Sequence, residues 1–224
     1  DATKFVTNQL LLKRDIDWSS TFFTTGVWDT EKTGVGSGPS TDEFLQWNDD
    51  ASDPINDVSA WTIDFQELTG NEPNTMVIGA HVLQELKNHP DIIDRIKYTQ
   101  RGIVTTDLIA TLFGVEKVVV ANATQATGAE INDAEDQDAA ATFSFIHNSK
   151  AALLAYSPSS PSLMTPAAGY TFTWDGYAGG NSQGIRIKNF RQERIASDRI
   201  EGEMTYDMKV VAPDMGIFVA SAVA

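Results

Sequence analysis

The 224-residue sequence contains no cysteine. That excludes disulfide scaffolds, thiolate metal sites and cysteine nucleophiles. Stability has to come from packing, within the chain or against neighbouring subunits. Basic residues are scarce: 16 Lys and Arg stand against 31 Asp and Glu, a net charge of −15. A protein that grips phosphates needs clustered cations, so nucleic acid should be repelled by most of this surface. No apolar run approaches the roughly 18–20 residues of a membrane helix, and no membrane partner is expected. The opening Asp1-Ala2-Thr3-Lys4 has no basic stretch followed by an apolar core, so no secretory signal is expected there.

The sequence is equally poor in catalytic motifs. A phosphate-cradling loop needs Gly-x-x-x-x-Gly-Lys-Ser/Thr, and nothing matches. Gly34-Val35-Gly36-Ser37-Gly38 lacks the third glycine of a dinucleotide loop and reads as a flexible loop. Neither Ser37 nor Ser182 has the Gly-x-Ser-x-Gly spacing of a hydrolase elbow. The three histidines, His81, His89 and His147, are not one helical turn apart, and structural roles are expected for them. His89 precedes Pro90 and reads as a helix cap. Glu130, Asp133, Glu135, Asp136 and Asp138 lack the central glycine of a calcium loop and read as a solvated loop. Asn122-Ala123-Thr124 is an accidental glycosylation triplet. No catalytic, cofactor-binding or metal residue is assigned. With so many acids, some carboxylate pair always looks plausible, so hydrolase chemistry gains no support.

What is present is a globular α+β pattern: 42% apolar and 21% charged residues, enough for one large domain or two modest ones. Helical spacing covers residues 2–13, and the Thr- and aromatic-rich segment 16–28 reads as extended. Residues 29–53 read as a long exposed loop. Its aromatics, Phe44 and Trp47, and the neighbouring Trp28 are anchors for a partner or for the chain's own core. Asp53-Pro54 starts an amphipathic helix that Gly70 stops. Residues 73–79 form a buried strand, 82–88 a helix, 95–101 a basic connection, 108–113 a helix and 118–121 a buried strand. From Thr142 the pattern turns to strands, with clean alternation over 170–174. The stretch 204–220, broken by Pro213, reads as a hairpin.

Two segments carry a family resemblance. Pro73-Asn74-Thr75-Met76-Val77-Ile78-Gly79, followed by Val82, Leu86 and His89-Pro90-Asp91-Ile92-Ile93-Asp94-Arg95-Ile96-Lys97-Tyr98, resembles the peripheral-domain signature of tailed-bacteriophage major capsid proteins. Ile200-Glu201-Gly202-Glu203-Met204 and Asp207-Met208-Lys209-Val210-Val211-Ala212-Pro213-Asp214-Met215-Gly216 resemble that family's ending. The resemblance runs from about Ile16 onward.

It implies a Hong Kong ninety-seven-type capsid fold with an extended N-terminal arm and loop (1–53). The peripheral domain would comprise 54–96 plus 196–224, with 54–69 as spine helix, and 97–195 would be the axial domain near the rotation axes. It implies a structural subunit, not an enzyme, without cofactor. The partners implied are other copies in hexamers and pentamers, a portal, and scaffolding or decoration proteins. Packaged DNA would be touched weakly and without specificity. The location implied is the virion capsid, assembled in the bacterial host cytoplasm. Interface candidates are Trp28, Phe44, Trp47, Arg95 and Lys97. Some relatives join a Lys to an Asn; Lys32 is the candidate here, and a non-covalent shell is the default. The alternatives are a decoration or tail-tube protein and, further off, a carboxylate hydrolase.

Overall fold

The computed structural model describes residues 2–97, 104–127, 142–162, 164–174, 176 and 184–224. The acidic run around Glu130–Asp138, Tyr98 to Arg101 and Ser182 lie outside them.

The chain opens with its longest helix, α1 (Ala2–Phe22). This overturns the extended reading of residues 16–22. Hydroxyl residues weaken a helix when their side chains compete for backbone partners. Here they bond back along it instead: Thr7 and Thr21 donate to the carbonyls of Thr3 and Asp17, at 2.9 and 2.8 Å. The end of α1 is fixed by tertiary contact. Trp18 packs on Phe22 and Phe23, and Phe23 meets Phe218 edge-on with ring centroids 5.5 Å apart.

Residues 29–53 are not a free loop. They hold β1 (Thr30–Val35) and β2 (Glu43–Leu45). β1 lies parallel to β12 (Gly216–Ala220), pairing Thr30 with Ile217 through Thr33 with Ala220. The partner strand is supplied from the far end of the chain, which is why local composition hides it.

The helix expected after Asp53 is α2 (Pro54–Thr69). Asp53 caps it, its Oδ1 accepting from the Asn56 N–H at 3.0 Å, a contact worth about 1 kcal/mol. Gly70 closes it at φ 69°, a left-handed conformation that costs glycine little. Its inner face buries Ile55, Val58, Trp61 and Phe65.

Next come β3 (Thr75–Gly79), α3 (Ala80–Asn88), α4 (Pro90–Ile96), α5 (Thr106–Phe113) and β4 (Lys117–Ala121). The helices form the crossover between two adjacent parallel strands. α4 begins at the His89-Pro90 step, where His89 Nδ1 accepts from the Asp91 N–H at 3.3 Å. β5 (Thr124–Ala126) and β6 (Phe143–Phe145) pair together, and β7 (Ala152–Ala155) enters the main sheet antiparallel to β3 and β12.

That sheet has six strands in the order β2-β1-β12-β7-β3-β4. The alternate rows Met76, Ile78, Leu154, Ile217 and Val219 are fully buried, and α3 and α5 pack against β3 and β4.

The last elements are β8 (Gly169–Thr173), β9 (Ile185–Gln192), β10 (Ser197–Met204) and β11 (Tyr206–Val210). β9 and β10 make an eight-residue antiparallel ribbon lying against α1, and β11 pairs with β8. The hairpin expected at 204–220 is therefore absent. β11 and β12 belong to different sheets, and the 3-10 turn Pro213–Met215 carries the chain between them.

β4 and β7, from the segment 97–195, share a sheet with β3 and β12. The helix at 54–69 packs on α5 and the 213–215 turn, while α1 packs on β10 and β11.

Candidate assembly surfaces

The aromatic anchors expected at 28, 44 and 47 face inward. Trp28 closes over Gly216, and its indole N–H donates to the Phe22 carbonyl at 2.8 Å. Phe44 meets the Trp61 ring edge-on, with centroids 5.1 Å apart. Trp47 is 0% exposed, stacked on Trp61 with centroids at 5.9 Å. Side chains buried within one chain cannot anchor a second, so these three interface assignments are corrected to core. β1 and β2 turned what looked like loop aromatics inward. Arg95 and Lys97 are exposed at the end of α4, where Lys97 lies 3.8 Å from Asp94. Lys32 is paired with Asp42 at 2.9 Å.

The apolar surface that does face outward lies elsewhere. Phe172 and Trp174 are 53% and 63% exposed and sit two residues apart, at the strand period, on and just beyond β8. Phe143 and Phe145 project from β6, where Phe145 meets the His81 ring edge-on. Phe190 and Ile195 mark the outer end of the β9–β10 ribbon. Contiguous exposed apolar patches are candidate docking surfaces. The alternation Tyr170-Thr-Phe172-Thr-Trp174 is visible in the sequence. Periodicity shows a strand there but not which of its faces stays wet.

The ionisable groups serve the fold. Asp17 accepts from Lys13 at 2.5 Å and from the Tyr206 hydroxyl at 2.5 Å, tying α1 to β11. Those two hydrogen bonds, Lys13's first, hold the Asp17 carboxyl below its ordinary range. Burial, and then the bond to Asp17, push Tyr206 up to about 12. The Asp29 carboxyl hydrogen-bonds that of Asp214, which raises its pKa. His89 Nε2 is 3.0 Å from Ser52 Oγ in a buried pair, a structural role. Among the described residues no group of three His, Asp or Glu side chains could hold a metal ion, and no helix is long and apolar enough to cross a membrane.

His147 is 8% exposed, lies edge-on to Trp18 and Phe23, and its Nδ1 has no hydrogen-bond partner. Burial holds its pKa below the ordinary 6.5, against a weaker opposing pull from Asp15. The unfolded chain therefore takes up this proton first as the pH falls. Stability from this group is complete above 6.5 and declines as the pH drops from there through the folded value. His147→Phe is expected to flatten the stability curve just below pH 6.5, measured by denaturant midpoints across pH. An unchanged slope would show that His147 takes up its proton alike in the folded and unfolded chain, and that its burial does not matter to stability.

No protein-family model matches the chain. Over 72 residues it is 43% identical to the major capsid protein of Burkholderia phage BcepMu, covering 32% of this chain and 24% of that protein. The solved structure of a phage-related protein from Bordetella bronchiseptica RB50 superposes with a TM-score of 0.78. The match has 24% identity over 98% of this chain and 66% of that one. A structure from Mycobacterium phage Che8 gives a TM-score of 0.51 and 14% identity over 100% of this chain and 63% of that one. The chain thus spans about two thirds of each solved structure, and its sequence match spans about a quarter of the curated relative. It has the phage capsid fold that the resemblance implies, and it is similar in sequence to a phage major capsid protein.

Proposed function

We propose that the chain is a structural subunit that self-assembles into the icosahedral shell around the double-stranded DNA of a tailed phage. The observation that carries this reading is the 43% identity over 72 residues to a phage major capsid protein. The fold likeness supports it. The exposed aromatic strands fit it, because a shell subunit works through its surfaces. The long α1 and the mixed sheet count against a mostly-β tail-tube or decoration protein.

The finer reading is hexamers and pentamers built through head-to-tail contacts that close into rings. In it, α1 and the β9–β10 ribbon form the peripheral body and the six-stranded sheet the axial one. Portal, scaffolding and decoration proteins are the further partners, assembly takes place in the host cytoplasm, and the net charge of −15 keeps packaged DNA from adhering to the wall.

Electron microscopy of the full-length gene product is the test. Rings of five or six copies, or closed polyhedral shells, are expected. A uniformly small particle at every salt and protein concentration would refute the reading.

A further inference from the structure

The sheet face over which α1 ends is not covered to its edge. By register, Leu153, Val77 and Val119 lie side by side, as do Ala155, Thr75 and Lys117 in the next row. The aromatic end of α1 seals the part nearest Phe218, and Leu153 is 3% exposed. Two strands further out Val119 is 45% exposed. Between these rows and the wall made by Trp18 and Thr171, two adjoining hollows of about 470 and 370 Å³ open. They share Trp18, Val77, Val119 and Thr171, and so form one trough.

Three features of this trough are unsatisfied. β4 is the last strand of its sheet, and among the described residues it pairs only with β3. Natural edge strands are usually blunted by Lys, Pro or a bulge. Val118-Val119-Val120-Ala121 carries none of these, and only Lys117 stands at its start. The trough also holds cations without partners: neither Arg14 nor Lys117 makes a salt bridge among the described residues. Among the described residues of the lining Asp15 is the one acid, so two cations against one anion give +1 there, on a chain of −15. Finally, the buried Nδ1 of His147, at the Arg14 end, has no partner.

We propose that this trough receives an extended, acidic segment of a second copy of the chain, added as a strand along the free edge of β4. The proposal rests on the assembly reading above. The edge supplies backbone hydrogen bonds. On the trough side of β4, Lys117, Val119 and Ala121 stand at alternate positions, so alternate side chains of the added strand fall beside them. Arg14 and Lys117, at the two ends, meet carboxylates. Each neighbouring copy brings 31 acids against 16 cations, so segments of the needed charge are plentiful on the partner.

The test places a photo-crosslinking amino acid at Val119 in the full-length gene product. Isotopically heavy and light copies are mixed before assembly and irradiated, and the adducts are sequenced by mass spectrometry. Heavy–light adducts to an acidic segment, present in particles and absent from dissociated subunits, are expected. Adducts confined to one copy, made to a different protein, or made to a segment without acids would overturn the proposal.

The paired reversal Arg14→Glu with Lys117→Glu gives an independent reading. Particle yield should fall at least tenfold while the thermal midpoint of the dissociated subunit stays put. Undiminished particles from this variant would sink the trough proposal and leave the assembly reading standing. Failure of the unaltered protein to form rings or shells would remove both.

Discussion

Gly79→Ala is expected to lower the thermal midpoint by about 6–12 °C, although the backbone there suits any residue. Gly79 has φ −69° and ψ 160°, so conformational strain is not the issue. Space is. A Cβ at this position would lie 2.2 Å from the Ser149 carbonyl oxygen, 2.4 Å from its carbon and 2.7 Å from its Cα. All three are backbone atoms and cannot rotate away. The segment they belong to is held on several sides. Ser149 O accepts from the His81 N–H at 3.1 Å, the Gly79 N–H donates to Ala151 O at 2.9 Å, and Lys150 O accepts from the Ala222 N–H at 2.8 Å. Moving that segment by an ångström breaks bonds that join β3, β7 and the C-terminus.

Overpacking a well-filled site costs about 1–3 kcal/mol and sometimes more. With several hydrogen bonds also at risk, the upper end applies, which for a chain of this size lowers the thermal midpoint by about 6–12 °C. Circular dichroism melts and soluble yield are the readout. Ser149→Gly in the same chain should not rescue, because the clash is with backbone. Rescue, or a midpoint within 2 °C of the parent, would show that the loop gives way.

The elements that could be read in advance are those whose signals are local. Asp53, Pro54 and Gly70 bound α2 because a cap, a fixed φ and a left-handed stop act within one turn of chain. Thr105 and Gly114 bound α5 in the same way. The misread segments have partners far away in sequence. β1 looks like a polar loop because the strand that orders it starts at Gly216. β11 and β12 look like a hairpin because both alternate around Pro213, yet each finds a better partner in a different sheet. The second half of α1 looks extended because Thr and aromatic residues favour strands; burial of Phe22 and Phe23 overrides that preference.

The surfaces follow the same division. That Trp28, Phe44 and Trp47 matter is plain from their type in a polar stretch, but whether they face inward depends on β1 joining the sheet. The trough beside β4 could not be foreseen, since it exists only where α1 stops short of β3 and β4.

Trp47→Ala should destabilise the isolated subunit by about 3–5 kcal/mol, the usual cost of emptying a buried aromatic site. The ring is fully enclosed, touching Phe44, Trp61 and Phe113 at centroid distances of 5.5, 5.9 and 6.4 Å. Truncation leaves a cavity that three large, rigid neighbours cannot refill. If Trp47 were instead an anchor for a neighbouring copy, the same substitution would spare subunit stability and abolish assembly. Denaturant unfolding of dissociated subunits, set beside particle counts, separates the two.

Trp47→Phe tests one further contact. The indole N–H donates to Asp57 Oδ2 at 3.1 Å and is the group that holds the Asp57 pKa down, while burial, the larger effect, pushes it up. Without the indole the half-buried carboxylate loses that donor, and its pKa rises further. A carboxyl whose folded pKa lies above its unfolded value gains stability as the pH falls through the folded value. The penalty of Trp47→Phe, about 1–3 kcal/mol for an unmade buried hydrogen bond, should therefore be largest at neutral pH. It should shrink as acid protonates Asp57. A penalty that does not change with pH would mean that Asp57 takes its hydrogen bonds from water, and that Trp47 contributes volume alone.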